Sequence, residues 1–224
     1  MAPVAAPPAA TLSWPRIAAL VVAFTWLGGA IGYFVATDRH DEPDPVDVGF
    51  LFDMSTHHAQ AVDMALQTVG RGEDSLIQQF AREILVGQSY EIGLMGQRLF
   101  DAGLRLEDRP PDAMGWMGMA VPVAEMPGLA TDAQMAALRA AEGAELDRLF
   151  LELMAAHHVG GIHMAEHAAA NGADASLRDL AARMARNQRL EVNDYIQLAR
   201  EHGIDADLPG PMAVADIDSE GTAG

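Results

Sequence analysis

Apolar residues recur every three or four positions through most of residues 46–203, which is the spacing of helices with one buried face. Glycines and one Asn-Gly pair interrupt this pattern, and these residue types commonly end helices. The pattern therefore predicts helices near 46–69, 73–103, 132–170 and 174–202, with interruptions at Gly70, Gly72, Asn171, Gly172 and Gly203.

The predicted helices pair into two hairpins, 46–103 and 132–203. Each hairpin carries an apolar stripe, and packing the two hairpins together buries both stripes. We therefore expect an all-α protein with a four-helix bundle at 46–203. The connection 104–131 is rich in Pro, Gly and Met and is too long for a tight turn, so it should cross the bundle. The acidic tail 204–224 is expected to be disordered.

An uncharged apolar stretch of 20 residues, 17–36, precedes the bundle. As one helix it would span about 30 Å, the thickness of the hydrocarbon core of a membrane. Arg16 lies before this stretch and an acidic run follows it, so the positive-inside rule predicts an anchor with residues 1–16 in the cytoplasm and a linker at 37–45. The alternative is a signal peptide cleaved near Gly28. Both interpretations export the bundle from the cytoplasm.

The bundle sequence repeats itself at an offset of 100 residues. Residues 47–66 align without gaps on 147–166, and eight of the 20 positions are identical. Identities continue at the same offset in the second helix of each hairpin, at Gln88/Gln188 and Glu91/Glu191. We interpret the domain as a duplicated helical hairpin.

Composition narrows the chemistry that this domain can carry. The formal net charge is −18, which makes nucleic acid an unfavourable partner. The chain has no cysteine, which excludes disulfides, thiolate metal sites, iron–sulfur clusters and cysteine nucleophiles. A soft metal ion could then be bound only by methionine, of which there are 13, together with imidazole and carboxylate groups.

Each repeat places a methionine three and four positions before a His-His pair, so a thioether and two imidazoles share one helical turn. On a helical wheel these side chains share the face that must turn inward, and a buried imidazole needs a partner for each ring nitrogen. A copper ion bound by these inward-facing imidazoles and thioethers would provide the partner that the imidazole nitrogens need. The predicted metal ligands are Met54, His57, His58, Met64, Met154, His157, His158 and Met164. Hydrogen-bonded histidines and methionines that only fill the core are the alternative.

A predicted outer shell would orient the free imidazole nitrogens. Its members are Asp47, Gln88, Glu91, Asp147, Gln188 and Glu191, with the two aspartates expected to cap or orient rather than to bind metal. Two further groups are expected to stay outside the site. His163 and His167 fall on the opposite, solvated face, and Met114, Met117 and Met119 in the connection either pack on the bundle or relay Cu(I).

The pattern D-x-x-F-x-x-x-M-x-x-H-H-x-x-x-x-x-M-A, present twice, resembles the domain of unknown function 305 family over roughly residues 44–203. This resemblance implies a ferritin-like four-helix bundle, often secreted or membrane-anchored, with copper binding and resistance in some members. It places the family's Met/His motif on the eight predicted ligands. Two departures from the family pattern are the small residues before each His pair and the glycines Gly160 and Gly161 after the second.

Three functions are compatible with the sequence. The leading hypothesis is extracytoplasmic copper binding for storage, buffering or resistance, with metal ions and the membrane as partners and no identified protein partner. A ferritin-like di-iron or copper oxidase is the second, although the chain contains no Glu-x-x-His motif of the di-iron type. The third is a structural or interaction module without metal.

Overall fold

The computed structural model describes residues 13–37 and 43–214, which fall into two compact units divided after Glu42. The first unit contains helix α1, Trp14–Thr37. Among the described residues, α1 is the helix long and apolar enough to cross a membrane, over Trp14–Tyr33. The predicted N-terminal apolar helix is therefore confirmed, whereas residues 1–12 and most of the predicted linker lie outside the described residues.

The second unit is a four-helix bundle made of α2 (Pro45–Thr68), α3 (Ser75–Asp101), α5 (Gly143–Asn171) and α6 (Ala175–His202). The hairpin pairs α2·α3 and α5·α6 pack closely, and α2 packs against α5. Aspartate side chains cap three of these helices by accepting hydrogen bonds from their first backbone N–H groups, at Asp44, Asp74 and Asp174. The all-α, four-helix prediction is confirmed; the ferritin-like relationship and the duplication stay predictions.

Two aspartates join the hairpins to each other. Asp147 accepts hydrogen bonds from the backbone N–H groups of Glu73 and Asp74, at 2.8 and 2.7 Å, just before α3. Asp47 makes the equivalent contacts with Ala173 and Asp174, at 3.0 and 2.9 Å, just before α6. The start of each hairpin's first helix thus lies at the turn of the other hairpin, so α2 and α5 run antiparallel.

The helix predicted at 132–170 is two helices in the structure. Helix α4, Asp132–Ala140, ends before α5 begins at Gly143, whose φ is +58°. Arg71 holds this break: its carbonyl accepts a hydrogen bond from Gly143 N at 3.1 Å, and its guanidinium donates to the carbonyls of Arg139 and Ala141. The break depends on a contact from a distant turn, so helical periodicity alone did not predict it.

The connection lies against α2 and carries a small antiparallel ribbon, β1 (Asp112–Ala113) with β2 (Val121–Pro122). Asp53, buried in α2, anchors it by accepting hydrogen bonds from Met114 N and Trp116 Nε1, both at 2.7 Å. Met114 adopts a left-handed φ of 60°, which is unusual for a residue with a side chain. This conformation accompanies burial of the Met114 side chain in the core.

The described part of the tail lies on the bundle instead of being separate from it. Ile204 and Leu208 pack against the core, and Asn193 exchanges two hydrogen bonds with the backbone of Met212, at 2.9 and 2.8 Å. Disorder was predicted here from the acidic residues and prolines, and this composition does not show that α6 offers hydrogen-bond partners. Residues 215–224 lie outside the described residues.

Candidate metal centre

Four histidines lie where α2 packs against α5, and none of the four is exposed to solvent. The rings of His57 and His157 face each other with centroids 3.6 Å apart and planes 37° apart. His157 Nε2 lies 2.9 Å from the carbonyl oxygen of His57, and His57 Nε2 lies 3.3 Å from that of Pro127. Because a carbonyl can only accept, each Nε2 must carry its proton and donate it.

The other two histidines point towards glutamates on the second helix of their own hairpin. His58 Nε2 lies 2.7 Å from a carboxylate oxygen of Glu91, and His158 Nε2 lies 2.5 Å from one of Glu191. The two contacts are equivalent at the 100-residue offset. The glutamates are partly exposed, whereas the imidazoles are not, so the pairs lead from the core towards solvent.

All four Nδ1 atoms are buried and have no hydrogen-bond partner within the described residues. An imidazole that donates from Nε2 keeps a free lone pair on Nδ1. A buried lone pair without a partner costs free energy, unless a ligand uses it. Metal-binding histidines commonly donate their other ring N–H to a carboxylate or a backbone carbonyl, which is the arrangement seen four times here.

Burial keeps the inner pair of imidazoles neutral. The pKa of His57 is lowered to about 3, chiefly by desolvation and next by the neighbouring His58. Desolvation likewise places the pKa of His157 well below its ordinary value, with His57 as the next cause. Both imidazoles are therefore neutral at neutral pH, as a metal ligand must be.

The four predicted methionine ligands are fully buried and lie on both sides of the histidines. Met54 and Met164 belong to one buried cluster, whereas Met64 and Met154 belong to another. Each cluster therefore combines a methionine from α2 with one from α5. Across the described residues, no three His, Asp or Glu side chains gather as a metal site, so an ion here would need thioether ligands beside the imidazoles.

The predicted outer shell divides into three kinds of contact. Glu91 and Glu191 contact imidazoles, as described above. Gln88 and Gln188 are buried, but no hydrogen bond joins them to an imidazole within the described residues, and their Oε1 atoms have no partner. Asp47 and Asp147, which were expected to cap or orient, contact backbone N–H groups and not imidazoles. Each lies ten residues from a His pair, about 15 Å along the helix, where it binds backbone N–H groups of the other hairpin.

Close packing explains the glycines after the second His pair. A Cβ on Gly160 would lie 2.0 Å from the carbonyl oxygen of Pro127, and one on Gly161 would lie 2.4 Å from Gln188 Oε1. The connection can therefore reach His57 only because α5 has no side chain at position 160.

A small cavity of about 90 Å³ lies between α3 and α6 over the outer histidines. Glutamates and the two buried glutamines line it, among them Glu83, Gln88, Glu91, Gln188 and Glu191. It is a polar, acidic opening beside Glu91 and Glu191, the partners of the outer histidines.

Two neighbours of the histidines were not predicted from the sequence. No sequence feature indicated the Pro127 carbonyl, because its position depends on the path of the connection. A sequence feature did indicate Tyr195: it lies one helical turn after Glu191, and its ring centroid is 5.7 Å from that of His158. The Tyr195 hydroxyl is buried and has no hydrogen-bond partner in the part of the chain that the structure describes, and desolvation raises its pKa well above the ordinary value.

The side chains expected to stay outside the site differ in burial. His163 is exposed, and His167 packs edge-on against Trp116 at 5.4 Å. In the connection, Met114 is buried in the core, Met117 packs against it, and Met119 is 44% exposed.

These features define a helical bundle with a buried histidine–methionine centre. The chain matches the family model described as Domain of unknown function (DUF305) over residues 47–199, and it belongs to this family. The resemblance drawn from the doubled motif is thereby confirmed. None of the curated proteins compared with the chain matches it.

Several solved structures share the fold. A DUF305 protein from Streptomyces coelicolor, named as a candidate secreted protein, is 34% identical with a TM-score of 0.67, over 73% of this chain and 98% of that chain. A DUF305 fragment from Deinococcus radiodurans is 26% identical with a TM-score of 0.61, over 72% and 99%. CopM in its Cu(I)-bound form is 26% identical with a TM-score of 0.52, over 70% and 96%. CopM has also been solved in Cu(II)-bound and Ag-bound forms.

Proposed function

We propose that this protein binds copper ions outside the cytoplasm through the imidazoles of His57, His58, His157 and His158 and the flanking methionines. The observation that carries the proposal is the set of four buried Nδ1 atoms without partners, each on a ring whose Nε2 faces a carbonyl or a carboxylate. Four such lone pairs in one interior are costly for a protein without a ligand. They are what a metal ion requires.

The donor set favours copper over other ions. Neutral imidazole and thioether groups suit copper in either oxidation state, and thioethers favour Cu(I). The likeness to CopM, which has been solved with Cu(I), Cu(II) and Ag, supports the same choice. Met54, Met64, Met154 and Met164 would complete the coordination, while Glu91 and Glu191 would hold the Nε2 protons of the outer histidines.

Storage, buffering or resistance fits the site better than oxidase chemistry. A di-iron oxidase of the ferritin type needs bridging carboxylates and Glu-x-x-His pairs. Here Glu91 and Glu191 already accept hydrogen bonds from the outer imidazoles, and the sequence lacks that motif. The donor set therefore suits a site that binds an ion better than one that catalyses oxidation.

Helix α1 would anchor the bundle at the outer face of a membrane. Its apolar span and the name of the Streptomyces relative support export. Membrane fractionation and protease treatment of intact spheroplasts test this part. The untreated protein should stay with the membrane fraction, and protease added outside the spheroplasts should digest the bundle. Recovery in the soluble extracytoplasmic fraction would instead support a cleaved signal peptide.

Copper retention tests the metal site directly. The full-length protein, purified in detergent and loaded with copper, is desalted and its copper content measured. We expect His57→Ala/His157→Ala to lose retained copper, whereas His163→Ala/His167→Ala, which removes two imidazoles from the non-clustered face of α5, keeps it. Circular dichroism of each apo variant reports whether the fold persists. Equal retention by the two folded variants would refute the proposal.

A further inference from the structure

The two sides of the histidine cluster differ chemically, although the helices around them repeat. On one side, each of the four bundle helices contributes one buried methionine. We call this set the methionine layer: Met54 from α2, Met95 from α3, Met164 from α5 and Met184 from α6. All four are at most 1% exposed and belong to the same buried cluster.

The hairpin α2·α3 brings Met54 and Met95 to the same level. His58 and Glu91 are in contact, and the two helices run in opposite directions. Met54 lies four residues before His58, and Met95 lies four residues after Glu91. Both are therefore displaced about 6 Å in the same direction from the His58–Glu91 contact.

The hairpin α5·α6 brings Met164 and Met184 to nearly the same level as each other. His158 contacts Glu191, Met164 lies six residues after His158, and Met184 lies seven before Glu191. Their displacements are about 9 and 10 Å in one direction. Because α2 and α5 are antiparallel, this is the same end of the bundle as Met54 and Met95.

The opposite side has only half as many thioethers. The positions that correspond at the 100-residue offset are Met154, Tyr195, Met64 and Ile84, all in the second buried cluster. A phenol and a branched alkyl group thus stand where the methionine layer has Met95 and Met184. The repeat fixes the histidines and glutamates equally on both sides but not the soft ligands.

We infer that the methionine layer makes one side of the centre a site for a soft monovalent cation, Cu(I) or Ag(I). Neutral thioethers bind such ions well and offer little to a harder divalent ion. A monovalent ion also has less charge to desolvate in this apolar interior. His57 and His58 lie three and four residues after Met54 on α2, about one helical turn away. This inference rests on the proposed function and specifies where the first monovalent ion binds.

The test uses Ag(I), a redox-stable probe, and full-length protein with ¹³C-labelled methionine methyl groups in detergent micelles. At one equivalent of Ag(I), the methyl resonances of the four layer methionines should shift, while those of Met64 and Met154 stay in place. Single Met→Leu variants assign the resonances, and leucine is close enough in volume to keep the core folded.

Affinity measurements provide the matched comparison. In competition with a chromogenic Cu(I) chelator, Met95→Leu/Met184→Leu should weaken Cu(I) binding about tenfold or more, whereas Met135→Leu, buried in the other cluster, should not. Conversely, Ile84→Met/Tyr195→Met should add a second tight Ag(I) equivalent.

The outcomes separate this inference from the proposed function. If neither Ag(I) nor copper binds the wild-type protein, the proposed function itself fails. If metal binds but the Met95→Leu/Met184→Leu affinity equals that of Met135→Leu, or if Met64 and Met154 shift together with the layer at one equivalent, only the methionine-layer assignment is overturned.

Discussion

A glycine in α5 gives the sharpest test of how the connection reaches the histidines. Replacing Gly160 by alanine places a Cβ 2.0 Å from the Pro127 carbonyl oxygen and 2.9 Å from Gly128 Cα, both of them backbone atoms that cannot rotate away. Gly128 itself has a φ of +86° and lies against the carbonyls of α5, so the connection has little freedom to move. We expect the intrinsic gain of alanine in a helix, about 1 kcal/mol, to be outweighed.

Gly87 is the matched control, because it lies inside α3 and an added Cβ there meets nothing within 4 Å. Overpacking against backbone typically costs about 1–3 kcal/mol, so Gly160→Ala should be destabilised, whereas Gly87→Ala should be stabilised by up to about 1 kcal/mol. Denaturant unfolding of both apo variants measures the difference. Copper retention by Gly160→Ala should also fall, since the Pro127 carbonyl orients His57.

Equal stability changes in the two variants would refute the close approach. Unchanged copper retention in a clearly destabilised Gly160→Ala would refute a different point, the dependence of His57 on the connection.

Two further perturbations follow from the described contacts. The folded-state pKa of His57 is about 3, which is below its unfolded value, so the unfolded chain binds more protons than the folded chain between those two pKa values. The stability of the apo protein should therefore be complete above about pH 6.5 and fall as the pH drops, which denaturant unfolding from pH 7 to 4 would show. A flat profile would contradict neutral burial of His57. Arg71→Ala should cost about 1–3 kcal/mol of stability because the carbonyl contacts at the end of α4 are lost, whereas Glu142→Gln, which alters only an exposed ion pair, should cost less than about 1 kcal/mol. Similar stability losses for the two variants in thermal or denaturant unfolding would contradict the role given to the carbonyl contacts.

Features that depend on local pattern were predictable from the sequence. The hairpins follow from apolar spacing and helix-ending residues, and the position of Glu91 and Glu191 follows from their place in the repeat. The inward orientation of the four histidines follows from sharing a helical face with Phe50 and Phe150. These inferences need only the geometry of one helix and the requirement that its apolar face be buried.

Features that depend on long-range contacts were not. A helical wheel gives the direction of Asp47 and Asp147 but not their distance along the axis, which places them at the hairpin turns rather than beside the histidines. The end of α4 depends on Arg71, about 70 residues earlier in the chain. The Pro127 carbonyl and the need for Gly160 depend on the path of the connection, which has no periodic pattern to read.

The asymmetry of the core could be read from the sequence only after the structure had aligned the helices. Met95 and Met184 are isolated methionines in α3 and α6, and neither belongs to the doubled motif. Their placement at the same end of the bundle as Met54 and Met164 requires the His58–Glu91 and His158–Glu191 contacts as reference points.

Long-range ¹H–¹⁵N spectra of the histidine rings test the central claim most directly. In the apo protein at neutral pH, His57 and His157 should each show a protonated Nε2 and an unprotonated Nδ1. On addition of Cu(I), which is diamagnetic, Nδ1 resonances of the cluster should shift while the exposed His163 keeps its signals. Protonated Nδ1 atoms on His57 and His157 in the apo protein, or rings that are unchanged when Cu(I) binds, would contradict a metal centre built on these buried nitrogens.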